Sequence, residues 1–254
     1  MSGYRITVMQ LIGNLNIGGA QEVVRTLSKY LLLPDCHPVV CTLEDGPLRE
    51  EIESLGVAVE VLPPRRYTVV ALPLFLLDML RIWKALANLI KKYDVDVIQT
   101  HILGILNFLV LVLRYTTPLR AAIWTFHSSN FELTETKLAK HHWLLKPKRF
   151  VYRLLYRLGS YLVDGIVAVS DQVKVAMLER IGPIGNRITV IYNGVDAQKY
   201  SKVIDKKNIR EQLGFCSDQS LEYRFLNVKP QTARTVFLVI VIVLHTVFLG
   251  VARI

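Results

Sequence analysis

Residues 6–22 read ITVMQLIGNLNIGGAQE: an apolar run from Ile6 to Ile12, a turn that carries Gly18 and Gly19, then a helix-forming stretch. A run with little alternation fits a strand buried on both faces, the habit of a parallel sheet. The same unit recurs along the chain. Strands are expected at 6–12, 38–43, 57–62, 95–100, 121–126, 166–169 and 188–191. Between them lie helix-period stretches. The clearest covers 72–93, where Leu76, Met79, Trp83, Leu86 and Ile90 recur at spacings of three and four. Asp78, Arg81, Lys84, Asn88 and Lys91 are expected on the opposite, solvent side. Pro47 opens a helix that Gly56 closes, and Ser170 precedes another at 171–180. Strand–helix alternation over this length gives the α/β class: a doubly wound parallel sheet with helices on both faces.

Composition narrows the classes further. The 254 residues are 52 % apolar and 20 % charged, which excludes a disordered or collagen-like chain. Lys and Arg number 31 against 21 acids, a net charge of +10, so anionic partners are favoured. The 3 cysteines, Cys36, Cys41 and Cys216, form no CxxC pair. An odd, sparse count points to a reducing compartment, so a cytoplasmic location is expected. No signal peptide is legible, because the first apolar run leads into a glycine turn and not a cleavage site.

Ligands of open α/β sheets bind beyond the carboxyl ends of the strands. After the first strand, Gly18 and Gly19 open a helix whose free N–H groups can approach an anionic oxygen; on spacing alone a tight turn packing the helix on the strand is the favoured reading. The spacing is not GxGxxG, so no nicotinamide cofactor is indicated. His101 follows the fourth strand and His127 the fifth. Either can donate to a phosphate or sugar hydroxyl or accept a proton; either can also be a core histidine. Ser170 ends a strand but suits a helix N-cap. His141 and His142 do not share a helix face and have no third ligand, so no metal site is expected. No P-loop and no GxSxG elbow occur.

Residues 137–157 hold seven Lys or Arg, no acid, and interleaved Trp, Phe, Tyr and Leu. This suits an anionic membrane surface. A solvated helix face is the plainer alternative, and nucleic acid is not expected because no recognised module fits.

Five motifs in order resemble glycosyltransferase family 4: Gly18 to Glu22, Asp96 to His101, Thr125 to His127, Ala168 to Ser170, and Val190 to Asp196 with its Asn193-Gly194 turn. The resemblance covers roughly residues 5–200. It implies retaining enzymes with a GT-B fold, of which this chain would be the Rossmann-like, acceptor-side N-terminal half. Residues 1–191 would form that domain, 192–203 a linker, and 204–228 the start of an incomplete donor-binding domain. The resemblance implies transfer of a sugar from a sugar nucleotide to a glycan or lipid-linked hydroxyl, with no cofactor or metal. His127 would act catalytically beside the transferred sugar, stabilising charge as the glycosidic bond breaks. Gly18 and Gly19 would face the donor's phosphates or sugar. Gln21, His101, Ser128 and Ser170 would lie in the cleft or on its acceptor side.

The family's donor-side motifs are absent after residue 228. Residues 229–254 form an aberrant apolar tail, and 235–252 is marginally long enough for a membrane anchor. A frame change or truncation is the preferred origin, with a genuine anchor or an alternative docking end beside it. The chain alone is expected to be inactive or nearly so. The rival reading is a non-enzymatic, membrane-attached module that binds an anion or a partner.

Overall fold

The computed structural model describes residues 5–67, 71–101, 104–128, 142–182 and 187–194, with the backbone alone for 142–149 and 180. Seven strands form one wholly parallel sheet: β1 (Ile6–Asn14), β2 (Cys36–Glu44), β3 (Ala58–Val61), β4 (Val97–His101), β5 (Ala121–Phe126), β6 (Gly165–Ala168) and β7 (Ile188–Val190). Six helices connect them: α1 (Gly19–Tyr30), α2 (Leu48–Ser54), α3 (Leu72–Tyr93), α4 (Ile105–Thr116), α5 (His142–Leu162) and α6 (Asp171–Ile181). The spatial order is β3-β2-β1-β4-β5-β6-β7. Right-handed crossovers follow from the twist of the strands. The chain therefore moves one way from β1 to β3 and the other way from β4 to β7, putting α1 and α2 on one face and α3 to α6 on the other.

Strand parity sorts the core. Met9, Leu11, Ile98, Ala122, Trp124 and Phe126 pack under α3 to α6. Ile6, Val8, Val97, Ala121 and Ile123 face the other way, with Leu27 of α1. The expected seven strands are all present. β1 runs two residues beyond its expected end, through Gly13 to Asn14, which shortens the glycine turn.

Helix α3 has the expected bounds and most of the expected face: Leu86 and Ile90 are buried, Met79 and Trp83 pack against the core, and Arg81, Lys84, Asn88 and Lys91 are exposed. Two positions differ. Leu76 is 55 % exposed, whereas Asp78, expected in solvent, is 2 % exposed. The reason is a polar anchor. The Asp78 carboxylate accepts hydrogen bonds from the Arg66 amide at 2.8 Å and the Tyr67 amide at 2.9 Å. Those bonds tie the chain after β3 to the helix, and the buried stripe begins at Phe75 and Asp78 and runs through Ile82 to the expected Leu86 and Ile90. Gly56 does sit just past α2, at φ +84°, where a side chain would be strained.

Among the described residues no helix is long and apolar enough to cross a membrane. Most of the expected linker, the expected second-domain start at 204–228, and the tail at 229–254 lie outside the described residues, as do positions 137–141 of the basic stretch.

Candidate functional site at the carboxyl edge of the sheet

The direction of winding reverses between β1 and β4, which opens a crevice at their carboxyl ends. The glycine turn and both histidines stand on this edge. Register puts Ile12 beside His101, and His101 beside Thr125, two residues before His127.

The turn is held by side chains that cross it. The Asn14 Oδ1 accepts from the Asn16 amide at 3.1 Å and from Gln21 Nε2 at 2.9 Å. Gln21 thus folds back across Gly18. A Cβ on Gly18 would stand 2.5 Å from Gln21 Oε1, while one on Gly19 would meet nothing. Gly18 is extended backbone that any residue adopts, so only the crossing amide asks for glycine there. A tighter contact lies beneath. A Cβ on Gly46, after β2, would stand 2.3 Å from the Leu15 carbonyl carbon. The Leu48 amide also donates to the Leu15 oxygen at 3.2 Å. The second βα loop therefore braces the first by backbone-to-backbone approach.

The histidines form one polar cluster. His101 Nδ1 and His127 Nε2 are 2.8 Å apart, and His101 Nε2 is 2.6 Å from Gln10 Oε1. Gln10 Nε2 donates to Gln99 Oε1 at 3.2 Å, and Gln99 Nε2 donates to Thr125 Oγ1 at 2.8 Å. Gln10, Gln99, His101 and Thr125 are all buried. Burying such groups is tolerated because each finds a partner. Burial pushes the His127 imidazole down to about 4. Burial, with His127 beside it, pushes His101 well below its ordinary value. Both rings are neutral at pH 7. His127 Nδ1, itself buried, has no hydrogen-bond partner among the described residues.

The expected residues thus divide. Gly18, Gly19, Gln21, His101 and His127 share the edge, but His101 is 1 % exposed and lies behind His127 instead of lining the cleft. Ser128 follows His127 and is half-buried. Ser170 caps α6, its Oγ accepting from the Val173 amide at 3.2 Å. Gln99 and Thr125 are visible in the sequence only as members of the family-like motifs, and Gln10 and Gly46 not at all. The signal that could have found the three polar ones is a polar residue where a buried apolar one belongs in a parallel sheet, whereas Gly46 lies in a loop and carries none.

Residues 17–199 match the family described as Glycosyltransferase Family 4. The chain belongs to glycosyltransferase family 4. Among its relatives, the capsular polysaccharide biosynthesis glycosyltransferase CapH of Staphylococcus aureus is 22 % identical over 205 residues, covering 80 % of this chain and 51 % of the relative. The Escherichia coli UDP-Gal:alpha-D-GlcNAc-diphosphoundecaprenol alpha-1,3-galactosyltransferase is 25 % identical over 217 residues, covering 84 % and 50 %. The chain spans about half the length of these relatives. The fold is shared with Anabaena HepE, solved with UDP and glucose, at TM-score 0.58 and 16 % identity over 83 % of this chain and 50 % of that one. A glycosyltransferase of Rickettsia africae gives TM-score 0.58 at 18 % identity over 84 % and 51 %. The family 4 domain is α/β and Rossmann-like, the N-terminal half of a GT-B fold.

Proposed function

We propose that this chain forms the acceptor-side wall of a transferase that moves a sugar from a sugar nucleotide to a hydroxyl of a glycan or lipid-linked acceptor. The carrying observation is that the glycine turn and the His127 cluster stand on the same carboxyl edge of the sheet, where the winding reverses. His127 lies against the transferred sugar, and as a neutral ring it acts by hydrogen bonding and not by charge. The N–H groups at Gly18 and Gly19 face the donor's phosphates or sugar, Gln21 holds the turn, and Ser128 borders the cleft. Ser170 contributes through its cap on α6.

The named E. coli relative supports a UDP-sugar donor and a diphosphoundecaprenol-linked acceptor. The 254 residues taken alone transfer poorly, since one wall leaves the phosphates in water, where electrostatic stabilisation is weak. Incubating the chain with radiolabelled UDP-galactose and a GlcNAc-diphosphoundecaprenol acceptor, alone and with the C-terminal half of that relative, tests this. Transfer only in the mixture, lost with His127→Ala, is expected. Ready transfer by the chain alone refutes the half-site reading, and transfer insensitive to His127→Ala refutes the assignment of the site. The rival, a non-enzymatic binding module, requires no transfer in any mixture.

The chain works at the inner face of a membrane. Helix α5 carries Lys and Arg but no acid along its length. Its described part exposes Phe150, Leu154, Leu158, Tyr161 and Leu162, with Arg153 and Arg157 also at the surface. Apolar groups bordered by cations suit an anionic lipid surface. On the same side of the sheet, α3 exposes Leu72, Leu76, Leu77 and Leu80.

A further inference from the structure

We propose that Thr125, Gln99, Gln10 and His101 form a one-way hydrogen-bond chain that holds His127 with its proton on Nε2 and its Nδ1 as a bare acceptor. Each side-chain amide has one accepting and one donating end, so each link fixes the next. Gln99 Nε2 donates to Thr125 Oγ1, which leaves Gln99 Oε1 to accept from Gln10 Nε2. Gln10 then presents only its oxygen to His101 Nε2, 2.6 Å away. An amide oxygen cannot donate, so His101 carries its proton on Nε2. A neutral imidazole has one ring proton, and His101 Nδ1 is therefore a lone pair. His127 Nε2, 2.8 Å from that lone pair, must donate into it. His127 Nδ1 is left without a proton.

The reversed chain uses the same heavy-atom positions with both amides turned and both ring protons moved. It would leave a buried Nδ1–H with no acceptor, because that atom has no partner among the described residues. Orphaned buried N–H groups are rarer than under-satisfied acceptors, which favours the direction argued here. A doubly protonated His127 would leave the same orphan. The four residues upstream are positioning residues: none needs to touch a ligand, and together they decide what His127 offers one. Resting on the transferase reading above, the consequence is that Nδ1 takes a hydrogen bond from a hydroxyl and has nothing to give a phosphate oxygen.

The test reads tautomers directly, from long-range proton–nitrogen spectra of the full chain labelled with ¹⁵N-histidine at pH 7, with signals assigned through His127→Gln and His101→Gln. Nε2–H on both rings is expected. Gln10→Met removes the oxygen that sets the direction and should move both rings to intermediate shifts, while Gln10→Glu, which restores an accepting oxygen, should return them. Gln99→Met offers a second break should Gln10→Met fail to fold. A proton on His127 Nδ1 in the unaltered chain, or tautomers unchanged by a folded Gln10→Met or Gln99→Met, overturns the proposal. Methyl α-galactopyranoside should shift the Nδ1 signal and inorganic phosphate should not. The opposite result, or no response to either, removes the hydroxyl assignment. Turnover plays no part in these readouts, so failure here is separate from failure of the transfer assay.

Discussion

The two ends of the sheet solve the same problem in different ways. At the amino end, acids meet bare strand amides and arginines. Asp96 accepts from the Thr7 amide at 2.9 Å, and its other oxygen is 3.1 Å from Arg120 Nε. Asp164 uses one oxygen for both roles: Oδ2 accepts from the Ala122 amide at 2.9 Å and from Arg114 Nε at 3.1 Å. Both carboxylates thus pair a strand amide with an arginine. At the carboxyl end the buried groups are neutral amides and imidazoles, linked in series, and the last atom of the series has no partner among the described residues. The closed end serves stability. The open end leaves a buried polar group unpaired among the described residues, at a cost of about 1–3 kcal/mol, and the proposed function gives that group a ligand.

Acid should separate the two ends most. Folded His127 titrates near 4, below its ordinary value of 6.5, so the unfolded chain takes up the proton first. The stabilisation is complete above about pH 6.5 and is lost as the pH falls toward 4, on the order of 3 kcal/mol from this ring. Urea unfolding of the unaltered chain and of His127→Phe at pH 7 and 4.5 measures it; equal slopes for the two proteins would refute the assignment. Next comes Asp96→Ala, which strips the Thr7 amide and Arg120 of their acceptor. A loss of about 2–3 kcal/mol is expected, discounted because Arg120 is partly exposed. The histidine tautomers at the far end should not move.

Gly46→Ala should cost about 1–3 kcal/mol, since its Cβ meets backbone that cannot swing aside. Amide shifts confined to the glycine turn and the loop before α2 would locate the strain. Leu158→Asp, on the exposed side of α5, should change stability by less than about 0.5 kcal/mol. It should still weaken sedimentation with anionic vesicles; unchanged sedimentation would count against the membrane-facing role of α5.

Much of the fold was legible because a buried parallel strand writes itself as an apolar run, and the bounds of α3 follow from its period. Most of the face of α3 was legible too, but not its Leu76 and Asp78. Period alone cannot tell that Asp78 will turn inward, because its two amide partners come from a loop packed against it in space. In the site, His101 and His127 stood out as polar residues at strand ends. Gln10 and Gln99 sit inside strands, where a polar residue reads as an interruption until its partner is known. Gly46 gave no signal at all, since its reason is the backbone of a different loop.

Local order was decided by the sequence itself: the strands and helices, their succession, and a parallel sheet whose winding reverses once, because these depend on spacing and chain handedness. Register and depth were decided only by the tertiary structure. It set Gln10 beside Gln99 and His101 beside Thr125, and it sank His101 beneath His127. Hydrogen bonds between side chains on neighbouring strands need an alignment to within one residue, and nothing in a single strand's own pattern carries that alignment.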